Sequence, residues 1–139
     1  MPLDLKALGR STAVHVAFAF LAMGGWALIA NLNKGLSHAG LAGLIQGTLS
    51  GLITLGLKRF LEAFSIRLPG VWAIIVPPMV SCAVILAVLV TAHLLAGTPN
   101  VWATISLPYA VSSTYAWVYV FVVVRGRTLK ARAVGLEPS

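Results

Sequence analysis

The chain has 139 residues, of which 59% are hydrophobic and 9% are charged, and its formal net charge is +7. Because soluble domains carry about 25% charged residues, this composition, with a mean hydropathy of +0.95, excludes a soluble domain and indicates an integral membrane protein. The positive charges flank apolar stretches, where membrane topology and lipid headgroups explain them, so we expect no nucleic-acid partner.

Four apolar stretches each have about the 20 residues that a helix needs to cross the hydrocarbon layer. They cover approximately residues 11–32, 36–57, 71–95 and 101–124, and a basic tail follows over 125–139. The sequence therefore predicts one all-α domain, an integral membrane bundle of four transmembrane helices. In the first span, Gly24 and Gly25 allow a bend or a close helix contact.

Small residues recur at every fourth position of the second span. On a helix this spacing forms one slowly winding groove, and such small-xxx-small patterns mark close helix contacts in membranes. We expect the tightest helix contact of the protein here, with either span four or span two of a second copy as the partner. The residues of this helix-packing series are Gly35, Ala39, Gly43, Gly47 and Gly51.

The connection between spans two and three, residues 57–68, has its apolar side chains on one helical face and its charged ones on the other. This pattern is typical of an amphipathic helix lying in the membrane interface. A span two that continues out of the membrane, with snorkelling cations, fits the same pattern. The fold prediction includes the interfacial segment.

The third span contains Pro77 and Pro78, which remove backbone donors and disfavour helix at the preceding residue. The spanning helix is therefore either kinked at the two prolines or broken there, with a separate short segment before them. The sequence leaves both alternatives open.

Polar side chains with helical spacing occur in spans two and four. They either form a polar centre between helices 2 and 4 that binds a neutral or amphipathic ligand, or they hydrogen-bond between helices. The sequence favours the second interpretation. These residues are Gln46, Ser50, Thr54, Thr104, Ser112, Ser113 and Tyr115.

Nine of the ten lysine and arginine residues fall on one predicted side of the membrane, and Lys34 alone falls on the other. Because cytoplasmic loops carry an excess of these residues, we expect both termini in the cytoplasm. Short loops with this bias fit a multi-pass protein of a bacterial inner membrane. The cations expected to contact anionic lipid headgroups are Lys58, Arg59, Arg67, Arg125 and Arg127.

None of the four predicted apolar cores contains an aspartate, glutamate, lysine or arginine residue. The chain resembles the small multidrug exporters in size and span number, but those exporters depend on a carboxylate inside the membrane. Proton-driven export of cations is therefore disfavoured. His38 and His93 could share a metal, but two ligands without a third make a weak site, so we expect no metal and no cofactor.

No catalytic motif is present, since serines 112 and 113 have no base nearby in sequence. We therefore expect a non-enzymatic structural or accessory subunit that works through helix contacts with its own copies or with other membrane subunits. A small transporter or lipid-handling protein is the alternative, and an intramembrane enzyme is less favoured.

Overall fold

The computed structural model describes residues 11–135, and this part of the chain is helical without any strand. Each of its four long helices is long and apolar enough to cross a membrane, which confirms the four predicted spans. The helices are α1 (Thr12–Asn31), α2 (Leu36–Ser65), α3 (Trp72–Leu95) and α4 (Val101–Ala133), and a 3₁₀ turn (Leu32–Lys34) joins the first two. Two cations of the charge count, Lys6 and Arg10, lie outside the described residues.

Helices α2 and α4 each contact all three of the other helices. In contrast, α1 and α3 do not contact each other within the described residues. A cluster of buried apolar side chains joins α2, α3 and α4. It consists of Leu57, Leu61, Ile85, Leu89, Ile105, Ala116 and Val120.

The glycine series of α2 packs against α1 of the same chain. A Cβ atom at Gly24 would lie 2.8 Å from the Gly43 carbonyl oxygen, and one at Gly47 would lie 2.9 Å from the Phe20 carbonyl oxygen. A Cβ atom at Gly51 would lie 3.3 Å from Cγ1 of Val16. Both helix backbones therefore meet without room for side chains.

This contact corrects the predicted partner of the series, which was span four or a second copy of span two. The spacing of small residues identifies the helix face that is packed, but it carries no information about the opposite helix. Ala39 is fully buried, whereas Gly35 has open space around it and ends the 3₁₀ turn with a φ of 103°.

Helix α2 does not end near residue 57 but continues without interruption to Ser65. The separate interfacial segment is therefore wrong, because residues 57–65 are the last turns of the same helix. Leu57 and Leu61 belong to the buried cluster, whereas Lys58 and Arg59 are exposed. The apolar face of residues 57–65 thus packs on protein at Leu57 and Leu61, while Phe60 is 42% exposed.

Helix α3 passes through Pro77 and Pro78 as one continuous helix, which excludes the broken alternative. Both prolines are buried, and the Ser81 hydroxyl donates a hydrogen bond to the Pro77 carbonyl oxygen at 2.8 Å. Helix α4 is also longer than predicted, because residues 125–133 of the basic tail are helical.

The contact at Gly47 predicts the result of enlarging this residue. Gly47→Leu has to move the backbone of α1 and should lower the free energy of unfolding by about 1–3 kcal/mol, as overpacking does in other cores. Thermal unfolding in detergent measures this change. Gly56→Leu is the matched control, since nothing lies within 4 Å of a Cβ at that position. Equal behaviour of the two variants would contradict the α1–α2 contact.

Candidate functional site

A network of hydrogen bonds surrounds His93, which is fully buried near the end of α3. Its Nε2 atom lies 2.9 Å from Oε1 of Gln46 on α2, and its Nδ1 atom lies 2.8 Å from the Thr98 hydroxyl. The Gln46 amide nitrogen donates to the Ser50 hydroxyl at 3.0 Å. We call these four residues the histidine network.

The partners of the ring limit the roles of its nitrogens. The Gln46 oxygen can only accept a hydrogen bond, so Nε2 of His93 is the donor in that contact. The Thr98 hydroxyl at Nδ1 can either donate or accept. The histidine therefore bridges α2 and the loop after α3.

A second cluster, the asparagine cluster, joins the end of α1 to the start of α4. The Asn31 side chain is fully buried; its nitrogen donates to the Thr104 hydroxyl at 2.7 Å and to the Ala27 carbonyl at 2.8 Å. Its oxygen accepts from the backbone nitrogen of Asn100 at 3.0 Å. The Asn100 side chain donates to the Ala30 carbonyl at 2.8 Å.

Glu62, the only acidic residue in the described part of the chain, accepts a hydrogen bond from the Tyr119 hydroxyl. Tyr115 stacks on Tyr119 with a centroid distance of 5.4 Å. Tyr119 lies 17 residues after Trp102, which is about 26 Å along a helix. If Trp102 marks one interface, Glu62 lies near the opposite edge of a hydrocarbon layer of about 30 Å.

One side of α4 carries an open apolar groove of about 710 Å³ that is lined by α4 alone. Two rows of side chains with a spacing of four residues form its sides, and no other helix covers it. We call it the α4 groove. One row is Ala110, Thr114, Val118 and Val122, and the other is Val111, Tyr115, Tyr119 and Val123.

The seven residues of the predicted polar centre do not meet as one site. Gln46 bonds to Ser50 of its own helix and to His93 of α3, and the Thr54 hydroxyl donates to the Ser50 carbonyl of its own helix at 2.8 Å. Thr104 bonds to Asn31 of α1 instead of α2.

The remaining three residues of that set lie on α4. Ser112 is half-buried, and Tyr115 lies in the α4 groove. The Ser113 hydroxyl is buried without a hydrogen-bond partner among the described residues. No polar pair therefore joins these serines to α2, and ligand binding by this set stays a prediction.

The five cations expected at lipid headgroups are all exposed. The Arg125 guanidinium lies 5.5 Å from the centroid of the Phe121 ring, a distance at which cation–π attraction operates. Residues 11–135 contain no group of three or more histidine, cysteine, aspartate or glutamate side chains that could hold a metal.

Sequence reasoning missed the partners of His93, the asparagine cluster and the Glu62–Tyr119 bond. Asn31 and Asn100 each lie next to a predicted turn, where asparagine usually needs no further explanation. The two predicted turns lie on the same side of the membrane, and this was the sequence feature that could have suggested a contact between Asn31 and Asn100. Glu62 was missed because the predicted second span ended before it.

The bridge between Gln46 and His93 predicts a measurable coupling. In a double-mutant cycle of Gln46→Ala and His93→Ala, we expect a coupling energy of about 0.6–1.7 kcal/mol, as found for hydrogen bonds between membrane helices. Unfolding in mixed micelles measures each variant. The control cycle pairs His93→Ala with Thr48→Ala, since Thr48 bonds only to its own helix. A Gln46–His93 coupling no larger than the control would mean that the bond contributes nothing.

Comparisons with protein-family models, with curated proteins and with solved structures found no match to this chain. Its function is therefore argued from the geometry of its helices and side chains.

Proposed function

We propose that the chain is a non-enzymatic structural or accessory subunit, which works through contacts of its membrane helices with its own copies or with another membrane protein. The observation that supports this proposal most is the use of polar side chains as ties between helices. Among the described residues, three hydrogen bonds between side chains tie one long helix to another. They are Asn31–Thr104 between α1 and α4, Gln46–His93 between α2 and α3, and Glu62–Tyr119 between α2 and α4.

Because these polar groups already form hydrogen bonds within the chain, they are poorly placed to act as catalytic groups. A general base or nucleophile must reach a substrate with a free polar atom. Both ring nitrogens of His93 and both amide atoms of Asn31 already have partners within the chain. The ties therefore support a rigid scaffold better than a reaction centre.

The surfaces left for a partner include the outer faces of α1 and α4 and the basic end of α4. Large apolar side chains are exposed on α1, such as Phe18 and Leu21 at 70%. The 33 residues of α4 extend about 50 Å, beyond a hydrocarbon layer of about 30 Å. Its last turns can thus contact headgroups or the acidic surface of a partner.

Within this proposal both termini face the cytoplasm of a bacterial cell, and the protein lies in the inner membrane. The uneven distribution of lysine and arginine supports this orientation. In a Cys82→Ala background, Ser37→Cys should react with an impermeant thiol reagent added to intact cells, and Ser139→Cys should be protected. Reaction of Ser139→Cys together with protection of Ser37→Cys would reverse the orientation.

The accessory function itself predicts the composition of the protein after mild extraction. We expect a mass that corresponds to several copies, or to this chain with a second membrane polypeptide at a fixed ratio, when lipid is subtracted. Native mass spectrometry measures it, and an unrelated four-span protein extracted in parallel is the control. A single chain without any protein partner in every mild detergent would contradict the proposal.

The alternative function, handling of a lipid or another amphipathic ligand, is favoured by one observation. The α4 groove is apolar and open to its surroundings, while Tyr115 and Tyr119 provide hydroxyl groups along one side. Accelerated transfer of labelled phospholipid between vesicles that contain the purified single chain would support this function over the accessory one.

A further inference from the structure

We propose that the α4 groove holds one acyl chain of an anionic phospholipid, and that Arg127 and Lys130 bind the phosphate of its headgroup. This site does not depend on the accessory function, because a lipid bound there fits a structural subunit as well as a lipid-handling protein. Three features support the site: the register of the groove, its length and the charges at its end.

The two rows of the groove lead directly to the basic end of α4. Continued by four residues, the row that ends at Val123 reaches Arg127, and the row that ends at Val122 reaches Gly126 and then Lys130. A Cβ at Gly126 would have nothing within 4 Å. Arg127 and Lys130 therefore follow the two rows at this end of the groove, and Gly126 places no side chain between Val122 and Lys130 in its row.

The length of the groove suits an acyl chain of one leaflet. From Ala110 to Val123 it extends about 20 Å along the helix, compared with about 15 Å for half of the hydrocarbon layer. Arg127 lies 25 residues after Trp102, or about 38 Å along α4. With Trp102 at one interface, Arg127 lies at headgroup depth on the opposite side.

The charges at this end favour an anionic headgroup. Arg127 and Lys130 are exposed, and Arg127 lies near Tyr119. The nearby carboxylate of Glu62 accepts the hydrogen bond of Tyr119. Two cations against one engaged carboxylate leave a positive end for a phosphate, and Arg125 beside Phe121 adds further positive charge.

A lipid fits the groove better than a second helix does. Close helix contacts in membranes use small residues, as the glycines between α1 and α2 show. The rows of the α4 groove instead have valine or tyrosine at six of their eight positions, and the two smaller residues, Ala110 and Thr114, lie together at one end. These side chains hold another backbone at a distance but leave a narrow apolar channel.

The test uses the purified full-length chain in micelles with equal amounts of phosphatidylglycerol and phosphatidylcholine of identical acyl chains. Native mass spectrometry measures the bound phosphatidylglycerol per chain. Arg127→Gln with Lys130→Gln should lower its affinity by about tenfold or more, as expected for the loss of two cations near a membrane surface. A control outside the expected headgroup residues, Lys34→Gln, should change the affinity by less than about threefold.

The groove is tested separately by Val118→Trp, which fills it. Val118 is 57% exposed, so the larger side chain does not enter the buried cluster, and Val84→Trp on α3, at 54% exposure, is the control. We expect loss of the bound phospholipid only in Val118→Trp, with an unchanged unfolding temperature in both variants.

Three results would overturn the site. The first is an equal loss of phosphatidylglycerol in the two charge variants, which would show general attraction to the basic surface. The second is unchanged binding in Val118→Trp. The third is loss of a co-purifying protein chain, rather than of lipid, in Val118→Trp; this would make the groove a helix contact and would favour the accessory function.

Discussion

The contact between the backbones of α1 and α2 is the constraint on which the arrangement of the other helices depends. At Gly24, Gly43 and Gly47 the two helices approach so closely that a Cβ atom would meet a backbone oxygen at 2.8–3.0 Å. Because lipid tails are as apolar as the side chains, the hydrophobic effect does not drive helix association in a membrane. Dispersion contacts at such a close surface stabilise the helix pair instead. Because this face of α2 is occupied by α1, its other faces are available for α3 and α4.

Polar bonds then determine how α3 and α4 sit on this pair. The histidine network is close to the loop between α3 and α4, whereas the Glu62–Tyr119 bond lies near the middle of α4. The asparagine cluster and the bond from the Trp26 indole nitrogen to the Ala103 carbonyl, at 2.9 Å, join α1 to the start of α4. Because Thr104 and Tyr119 are about 22 Å apart along α4, these ties resist rotation and sliding of α4 better than the same bonds placed together.

The sequence predicted the four spans and the packed face of α2, since both depend on local properties of the chain. Hydrophobic length marks a span, and a repeat of four marks a helix face. The partner of the glycine face could not be predicted, because the pairing of Gly24 with Gly43 depends on how two distant helices cross. Gly24 was identified in the sequence only as a point of bending or close contact.

The end of α2 shows a second limit of sequence reasoning. The charged residues of segment 57–65 suggested that the span had ended, but Leu57 and Leu61 are buried against other helices. A pattern with one apolar face cannot distinguish lipid from protein as its neighbour. The early end of the predicted span also hid a polar contact, since Glu62, which accepts the hydrogen bond of Tyr119, fell outside the predicted spans.

The most direct test of the account is an intrachain disulfide between α1 and α2. A Cβ at Gly51 would lie 3.3 Å from Cγ1 of Val16, which brings these two positions within reach of a disulfide. In a Cys82→Ala background, oxidation of the Val16→Cys, Gly51→Cys variant in membranes should produce a cross-link within single chains. Dimers of this variant without any intrachain product, together with equally efficient dimers of Gly51→Cys alone, would contradict the account and identify a second copy of α2 as the partner.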